Sequence, residues 1–382
     1  MRTDWLQACF DGARSCFDPY QNVVGPRNAA ALGLAWRAPI GASGTSSPVY
    51  ANGRVFVGTA NGVVGLNPAT GAIIINYRSG PVSTGLAAIK GFDPQPDPPG
   101  RVIFGSRDGI LHAVSTSGAQ LWRARLGAPP ASPLVIQGTG KLPAKIIVGA
   151  GRAVAAFSVR GRRLWARVLG AGHITKPPAV QQNPPPDPDR VIVAARNTLY
   201  AVNPANGAVL WTSVPSRAPL GAPMISTAGA AGARVLVGDA LGTLFSIDPA
   251  TGAVRSTFRA AGPIVGSPAA GTVGRTGRSV FLGDRTGDIY AIDSTDEFPP
   301  PEWQAALGGP VDGPPVLANG IVYAATDPEI NPGIFALDAL SGRTLFRGAL
   351  PAGAASSPIL ADGRVILTTK SGDVVAYQGP DS

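Results

Sequence analysis

Short apolar runs, separated by glycine, proline and polar turn residues, make up most of this chain. The clearest runs are RVFVG (54–58), RVIFG (101–105), KIIVG (145–149), RVIVA (190–194) and RVLVG (234–238). Runs of this length, rich in β-branched residues and bounded by turn formers, are typical of buried strands. Long segments with helical periodicity are absent, so the pattern predicts an all-β protein.

A glycine-rich stretch, RVFVGTANGVVGLNPATG (54–71), at first suggests a phosphate-binding loop. A phosphate cradle requires a following helix to present its N-terminus, and no helical pattern follows here. The stretch instead recurs, at intervals of 43 to 47 residues. The repeats begin at Arg54, Arg101, Lys145, Arg190, Arg234, Arg278, Ile321 and Arg364. This period matches one four-stranded blade, so the sequence predicts an eight-bladed β-propeller.

Each repeat carries the same parts in the same order. A Ser-Pro or Pro-Pro pair precedes the first strand, and the last strand often ends in tryptophan, as at Trp122, Trp165 and Trp211. We expect this flat side chain to wedge between neighbouring blades. The eighth repeat lacks a fourth strand, and residues 33–41 resemble one. We therefore predict a domain over residues 33–382, closed by this N-terminal strand, and a strap over residues 1–32 on its outside or bottom.

The repeat resembles that of the pyrroloquinoline-quinone (PQQ) type β-propellers. The pattern A-x-D/N-x-x-x-G-x-x-x-W is present over Ala201–Trp211 and, one residue shorter, over Ala113–Trp122. The resemblance covers roughly residues 33–379, and in build it is nearest to the non-catalytic, BamB-like propellers of outer-membrane assembly. It implies a non-enzymatic protein-binding or assembly scaffold outside the cytoplasm. The alternative is a quinoprotein-like, PQQ-dependent dehydrogenase, or another small-molecule enzyme, with its site at the channel mouth.

Quinoprotein dehydrogenases bring expectations that the residues here do not meet. They carry calcium with acidic ligands and often a disulfide between adjacent cysteines, whereas Cys9 and Cys16 are seven residues apart. His112 lies where other repeats have tyrosine, which indicates a strand residue, and His173 lies in an inter-blade loop. We therefore predict no catalytic residues, no metal site, and neither PQQ nor calcium as a cofactor.

Charge is unevenly distributed along the chain, whose formal net charge is +9. Residues 101–200 contain 14 basic and 3 acidic residues, whereas residues 201–382 contain 11 and 15. Several cations share one turn of the repeat, and these are Arg107, Arg196, Arg285 and Lys370, with Arg152 one position later. We predict that they form a broken ring on the channel face and bind an acidic protein surface or a polyanionic polymer. The alternative is that exposed turns simply favour long polar side chains.

Nucleic acid is a less suitable partner, because the chain has no lysine-rich tail and no recognised reading motif. Self-association is left open.

No apolar run approaches the roughly 18 residues that a membrane span requires. The first residues, MRTDWLQACFDG, lack the apolar core of a signal peptide. From the fold we expect a periplasmic or extracellular protein whose leader has been removed; a cytoplasmic protein is the alternative. An oxidising compartment favours a Cys9–Cys16 disulfide over two free thiols.

Overall fold

The computed structural model describes residues 4–41, 46–89, 100–138, 144–170, 172–183, 187–227, 232–273, 277–293, 297–328 and 331–379. Within these ranges the strands form eight sheets, each built on four antiparallel strands that follow one another in space from the channel outwards, and one sheet has a fifth strand on its channel side. The first strands of neighbouring sheets contact one another around the centre. The predicted all-β fold, an eight-bladed propeller, is confirmed.

The four strand positions recur in every blade. The first strands, beside the channel, are Val49–Ala51, Ala87–Ile89, Leu134–Ile136, Ala179–Gln181, Met224–Ser226, Ala269–Val273, Val316–Ala318 and Ile359–Ala361. The second strands are Arg54–Thr59, Arg101–Gly105, Lys145–Ala150, Arg190–Ala195, Arg234–Gly238, Gly277–Gly283, Ile321–Ala325 and Arg364–Thr368. The third strands are Gly62–Leu66, Ile110–Ser115, Ala153–Ser158, Thr198–Val202, Thr243–Ile247, Asp288–Asp293, Gly333–Asp338 and Asp373–Gln378. The fourth strands are Ile73–Arg78, Gln120–Arg125, Arg163–Val168, Val209–Ser213, Val254–Arg259, Trp303–Ala306, Thr344–Ala349 and, for blade eight, Gly33–Pro39.

Burial explains why the sequence reads as continuous apolar runs. The second strand Arg101–Gly105 is buried at every position, because each blade is sandwiched between two others. The fourth strand Ile73–Arg78 instead alternates between exposed and half-buried positions at the rim. The apolar core therefore lies between adjacent blades as a series of clusters.

Tryptophans of the fourth strands join neighbouring blades. Trp165 lies against Gly207 of the next blade, where a β-carbon would come within 2.6 Å of the indole ring. Its Nε1–H also donates to Pro204 O at 3.0 Å. Gly207 has φ of +75°, a conformation that glycine adopts without steric cost. The same contact is made by Trp36, Trp122, Trp211 and Trp303, which confirms the predicted wedge.

The ring is closed by exchange of the first regular strand. Gly33–Pro39 pairs antiparallel with Asp373–Gln378 and so completes blade eight, as predicted. Trp36 then reaches blade one, where its Nε1–H donates to Pro68 O at 2.9 Å. Arg37 adds a bidentate contact to Asp373, with both nitrogen–oxygen distances at 2.9 Å. Gly33–Pro39 thus covers the outer edge of Asp373–Gln378, which is paired on both sides.

The Arg37–Asp373 pair is expected to make the stability of the closure depend on acid. The hydrogen bond from Arg37 lowers the pKa of the Asp373 carboxyl from its ordinary value of 3.8. A lowered pKa stabilises the fold above the unfolded-state pKa, and this contribution is lost as the pH falls through the folded-state pKa. Asp373→Asn should therefore melt about 1 °C below the unsubstituted protein at pH 7. The gap should begin to narrow below pH 3.8 and should close as the pH falls through the lowered folded-state pKa. A gap unchanged down to pH 2 in thermal melts would contradict the assignment.

An N-terminal segment, residues 5–18, runs inside the ring, and we call it the channel belt. Its backbone carbonyls accept hydrogen bonds from the middle residues of successive first strands, including Val180 at 2.8 Å, Ile225 at 2.8 Å and Leu317 at 2.9 Å. It begins with a bridge between Trp5 and Tyr50 and ends as the short strand Phe17–Asp18, parallel to Val316–Ala318. It thus contacts blades one to seven in order.

The sequence predicts that residues 1–32 form a strap on the outside or bottom of the propeller. The belt, which is part of that segment, lies inside the ring instead. The first strand of each blade has backbone N–H groups facing the channel with no partner in its own sheet, and the belt supplies acceptors for them. The Cys9–Cys16 disulfide closes a loop within the belt, which bears out the predicted pairing. A 3₁₀ turn, Ala29–Ala31, follows before the closing strand. The proposed domain boundary at residue 33 stays a prediction.

Candidate functional site

The five cations predicted from the sequence all lie on one end of the propeller, in or beside the turns between second and third strands. These turns bond to the loops that connect one blade to the next. The N–H of Arg107 donates to Pro81 O at 2.9 Å, and that of Lys370 donates to Gly353 O at 2.9 Å. All five side chains belong to exposed residues, namely Arg107, Arg152, Arg196, Arg285 and Lys370.

Two of these cations are paired with carboxylates of blade seven. Arg285 makes a bidentate contact to Asp312, at 2.7 and 2.9 Å, and this contact raises the pKa of its guanidinium. Lys370 pairs with Asp327. The charge on this side of the ring is therefore locally balanced, and the predicted ring is not uniform.

The other three cations lie on the adjacent blades two, three and four, and we call Arg107, Arg152 and Arg196 the basic face. Arg152 donates to the backbone oxygen of Gly170 at 2.6 Å, which leaves its charge uncompensated. Within the described ranges, none of the three forms an ion pair with a carboxylate. The neighbouring Asp108 is hydrogen-bonded to Ser106. Positive charge is therefore concentrated on three consecutive blades.

His112 is a structural residue, as its sequence position indicates. It lies buried on the third strand of blade two, stacks on Phe104 at 5.0 Å and shares a 2.9 Å hydrogen bond with Ser106. Burial lowers its pKa. Asp108 contacts the serine and not the imidazole, and Ser106 is buried, so this cluster lacks the geometry of a catalytic triad.

The central channel contains a cavity of about 120 Å³ between the belt and the inter-blade loops. Its lining includes Trp5 and Arg14 from the belt and serines such as Ser47 and Ser132 from the loops. Arg14 is 6% exposed, and burial lowers the pKa of its guanidinium to about 10. Sequence reasoning missed both belt residues, because residues 1–32 lie outside the repeat and have no periodic position to compare.

Lys176, a half-buried residue beside the cavity-lining Pro177, was also missed. Burial lowers the pKa of its ammonium, the charge of Asp312 raises it, and Arg285 and Arg14 lower it further. The ammonium of Lys176 is therefore influenced by a channel residue, Arg14, and by the ion pair between Arg285 and Asp312. A signal was present in the sequence, since the other seven repeats carry a small residue at this position. Those residues are Ser46, Thr84, Ala131, Gly221, Gly266, Gly313 and Ser356.

The channel does not fit the PQQ and calcium that the quinoprotein resemblance implies. A cavity of about 500 Å³ beside the belt lies within the roughly 300–1,000 Å³ of sites that enclose organic ligands, but among the described residues its lining has no Lys or Arg to pair with the carboxylates of PQQ. In the described part of the chain, no group of three or more His, Cys, Asp or Glu side chains is placed to hold a metal ion. His173 is an exposed loop residue. We therefore derive no catalytic step through either group.

Comparison with known proteins agrees with this architecture. The repeats and the closed ring define a propeller of the PQQ type. The chain belongs to the family described as outer membrane protein assembly factor BamB, whose profile matches residues 28–196, 91–226, 195–297 and 268–381. No curated protein sequence matches the chain.

Solved structures of BamB and of dehydrogenases share the fold. BamB from Moraxella catarrhalis is 16% identical with a TM-score of 0.64, over 92% of this chain and 98% of that one. Quinohemoprotein alcohol dehydrogenase from Comamonas testosteroni is 15% identical with a TM-score of 0.73, over 98% of this chain and 80% of that one. A europium-containing methanol dehydrogenase is 14% identical with a TM-score of 0.73, over 98% of each chain. At such identities the likeness extends to the fold alone.

Proposed function

We propose that this protein is a non-enzymatic scaffold that binds an acidic protein surface through the basic face. The observation that carries the proposal is the exposure of Arg107, Arg152 and Arg196 on adjacent blades, with no carboxylate paired to them in the described ranges. Arginine suits this role, because its planar guanidinium forms bidentate bonds to carboxylates. Membership of the BamB family supports a role in binding other proteins.

A protein partner suits the face better than a polyanionic polymer does. Asp312 and Asp327 neutralise Arg285 and Lys370 on the same end of the ring, so this side offers no net attraction to a long anionic chain. A folded partner with a confined acidic patch needs only the basic face. The arrangement favours steering and specificity over raw affinity.

The scaffold is further proposed to act outside the cytoplasm and without PQQ or calcium. The family and the disulfide support the first part, because disulfides persist in oxidising compartments. The second part is supported by the lining of the larger cavity beside the belt, which has no Lys or Arg, and by the lack of a metal-holding side-chain group among the described residues. No helix within the described residues has the length and apolar character that crossing a bilayer demands.

The test is a triple charge reversal of the basic face, Arg107→Glu, Arg152→Glu and Arg196→Glu in one protein. Binding to fluorescently labelled poly-L-glutamate, a model acidic polypeptide, is measured by anisotropy. We expect the dissociation constant to rise at least tenfold, because three attractive charges become repulsive, which corresponds to about 1.4 kcal/mol or more.

A matched control reverses three exposed arginines at the opposite end of blade three, namely Arg160, Arg162 and Arg163. They lie in and beside the turn between third and fourth strands, which antiparallel alternation places at the other end of the blade. The control changes net charge equally, and its dissociation constant should rise less than threefold. Equal loss in both variants would contradict a localised face. Tighter binding of heparin than of poly-L-glutamate by the unsubstituted protein would favour the polyanionic polymer instead.

A further inference from the structure

Two buried hydrogen-bond donors beside the channel cavity have no acceptor among the residues that the structure describes. They are Nε1 of Trp5, a residue 1% exposed, and Nε of Arg14, a residue 6% exposed. Both residues line the cavity. An indole and a guanidinium can only donate, so neither can satisfy the other. A buried donor without a partner costs about 1–3 kcal/mol, and more when it is charged.

The contacts that Arg14 does make leave its charge poorly compensated. One terminal nitrogen of its guanidinium lies 3.9 Å from Cys9 Sγ, which is a weak acceptor. The charge of Asp11 acts on it, but that carboxylate accepts hydrogen bonds from Ser15 N at 2.9 Å and Ser15 Oγ at 2.8 Å. Arg14 remains protonated near neutral pH, since burial lowers its pKa only to about 10.

A second cation lies beside the cavity. Lys176 directly precedes the cavity-lining Pro177, and the charge of Arg14 lowers the pKa of its ammonium. Asp312, the carboxylate that raises this pKa, already holds Arg285 in a bidentate pair. Positive charge near the cavity is therefore only partly offset. In a poorly solvated channel such an excess attracts a compensating anion.

We propose that the channel cavity binds one small oxyanion, which accepts hydrogen bonds from Arg14 and Trp5 and lies in the field of Lys176. A cavity of about 120 Å³ exceeds the roughly 10–15 Å³ that one water molecule requires and has room for one ion of the size of phosphate or a short carboxylate. The hydroxyl-bearing Ser47 and Ser132 also line the space. This site is separate from the basic face and does not depend on the proposed scaffold function.

The test titrates the full-length protein with sodium phosphate, sodium sulfate and sodium acetate by isothermal titration calorimetry at constant ionic strength. We expect one saturable site for at least one of these anions. Arg14→Met should weaken its binding at least tenfold, and Trp5→Phe, which removes the indole N–H but keeps an aromatic ring, should weaken it at least threefold. The order of the three affinities distinguishes a phosphate-like from a carboxylate ligand.

Arg343→Met is the matched control. Arg343 is an exposed arginine in the turn between the third and fourth strands of blade seven, on the side of the blade away from the channel. Its affinity should equal that of the unsubstituted protein. If Arg14→Met does not fold, Lys176→Met and Trp5→Phe provide the comparison. The proposal is overturned if no anion saturates the protein, since the donors would then be served by water, or if Arg343→Met loses as much affinity as the channel variants.

Discussion

Trp36→Ala should lower the free energy of unfolding by about 3 kcal/mol, which is the lower end of the range for truncating a buried aromatic side chain to alanine. Trp36 is 8% exposed and lies on the strand that closes the ring. Its ring packs on Gly71 of blade one, and its Nε1–H donates to Pro68 O. The substitution removes packing and a hydrogen bond at the junction between blade eight and blade one.

The measurement is chemical denaturation followed by circular dichroism. Leu34→Ala is the control on the same strand, because Leu34 is 59% exposed, and it should change the free energy by less than 1 kcal/mol. A loss below about 1 kcal/mol for Trp36→Ala would mean that the tryptophan contact does not secure the closure.

Deletion of residues 1–18 should cost still more, about 5 kcal/mol or above. The deletion removes the burial of Trp5, and truncating such a residue alone costs about 3–5 kcal/mol. It also removes the belt's hydrogen bonds to the first strands, each contributing on the order of 1 kcal/mol. The channel-facing N–H groups of residues such as Val180 and Ile225 would then be open to water.

Rescue in trans separates the belt from a general truncation effect. An oxidised synthetic peptide of residues 4–18 should raise the melting temperature of the deleted protein in a concentration-dependent way, because a ligand of the folded state stabilises it. A scrambled peptide of the same composition should not. If the deletion leaves the melting temperature unchanged, or if both peptides act alike, the belt does not bind the first strands as described.

The ring could be predicted because its sequence repeats. The position of the belt could not be predicted, because residues 5–18 lie outside the repeats. The strand starts at Arg54 and its counterparts, the tryptophan wedge and the closing strand all follow from a pattern compared over eight copies. Residues 5–18 carry no such period, and they are held by pairing with strands up to 300 residues away. Their position depends on unpaired N–H groups that exist only once the ring has formed.

The same limit applied to the candidate site. The sequence correctly placed five cations on one face, because they occupy equivalent turns. It did not show that Arg285 and Lys370 are paired, since Asp312 and Asp327 lie 27 and 43 residues away. The sequence also did not single out Arg14, because its burial in the channel depends on residues from several blades. Lys176 was detectable as the one charged residue among small ones.

The most direct test of the proposed binding face is the salt dependence of poly-L-glutamate binding between 50 and 300 mM sodium chloride. Exposed charges are screened over about 10 Å at 0.1 M salt, so binding through the basic face should weaken steeply as salt rises. We predict that the triple reversal of Arg107, Arg152 and Arg196 removes most of this slope, whereas reversal of Arg160, Arg162 and Arg163 preserves it. Equal slopes in the two variants would contradict the account.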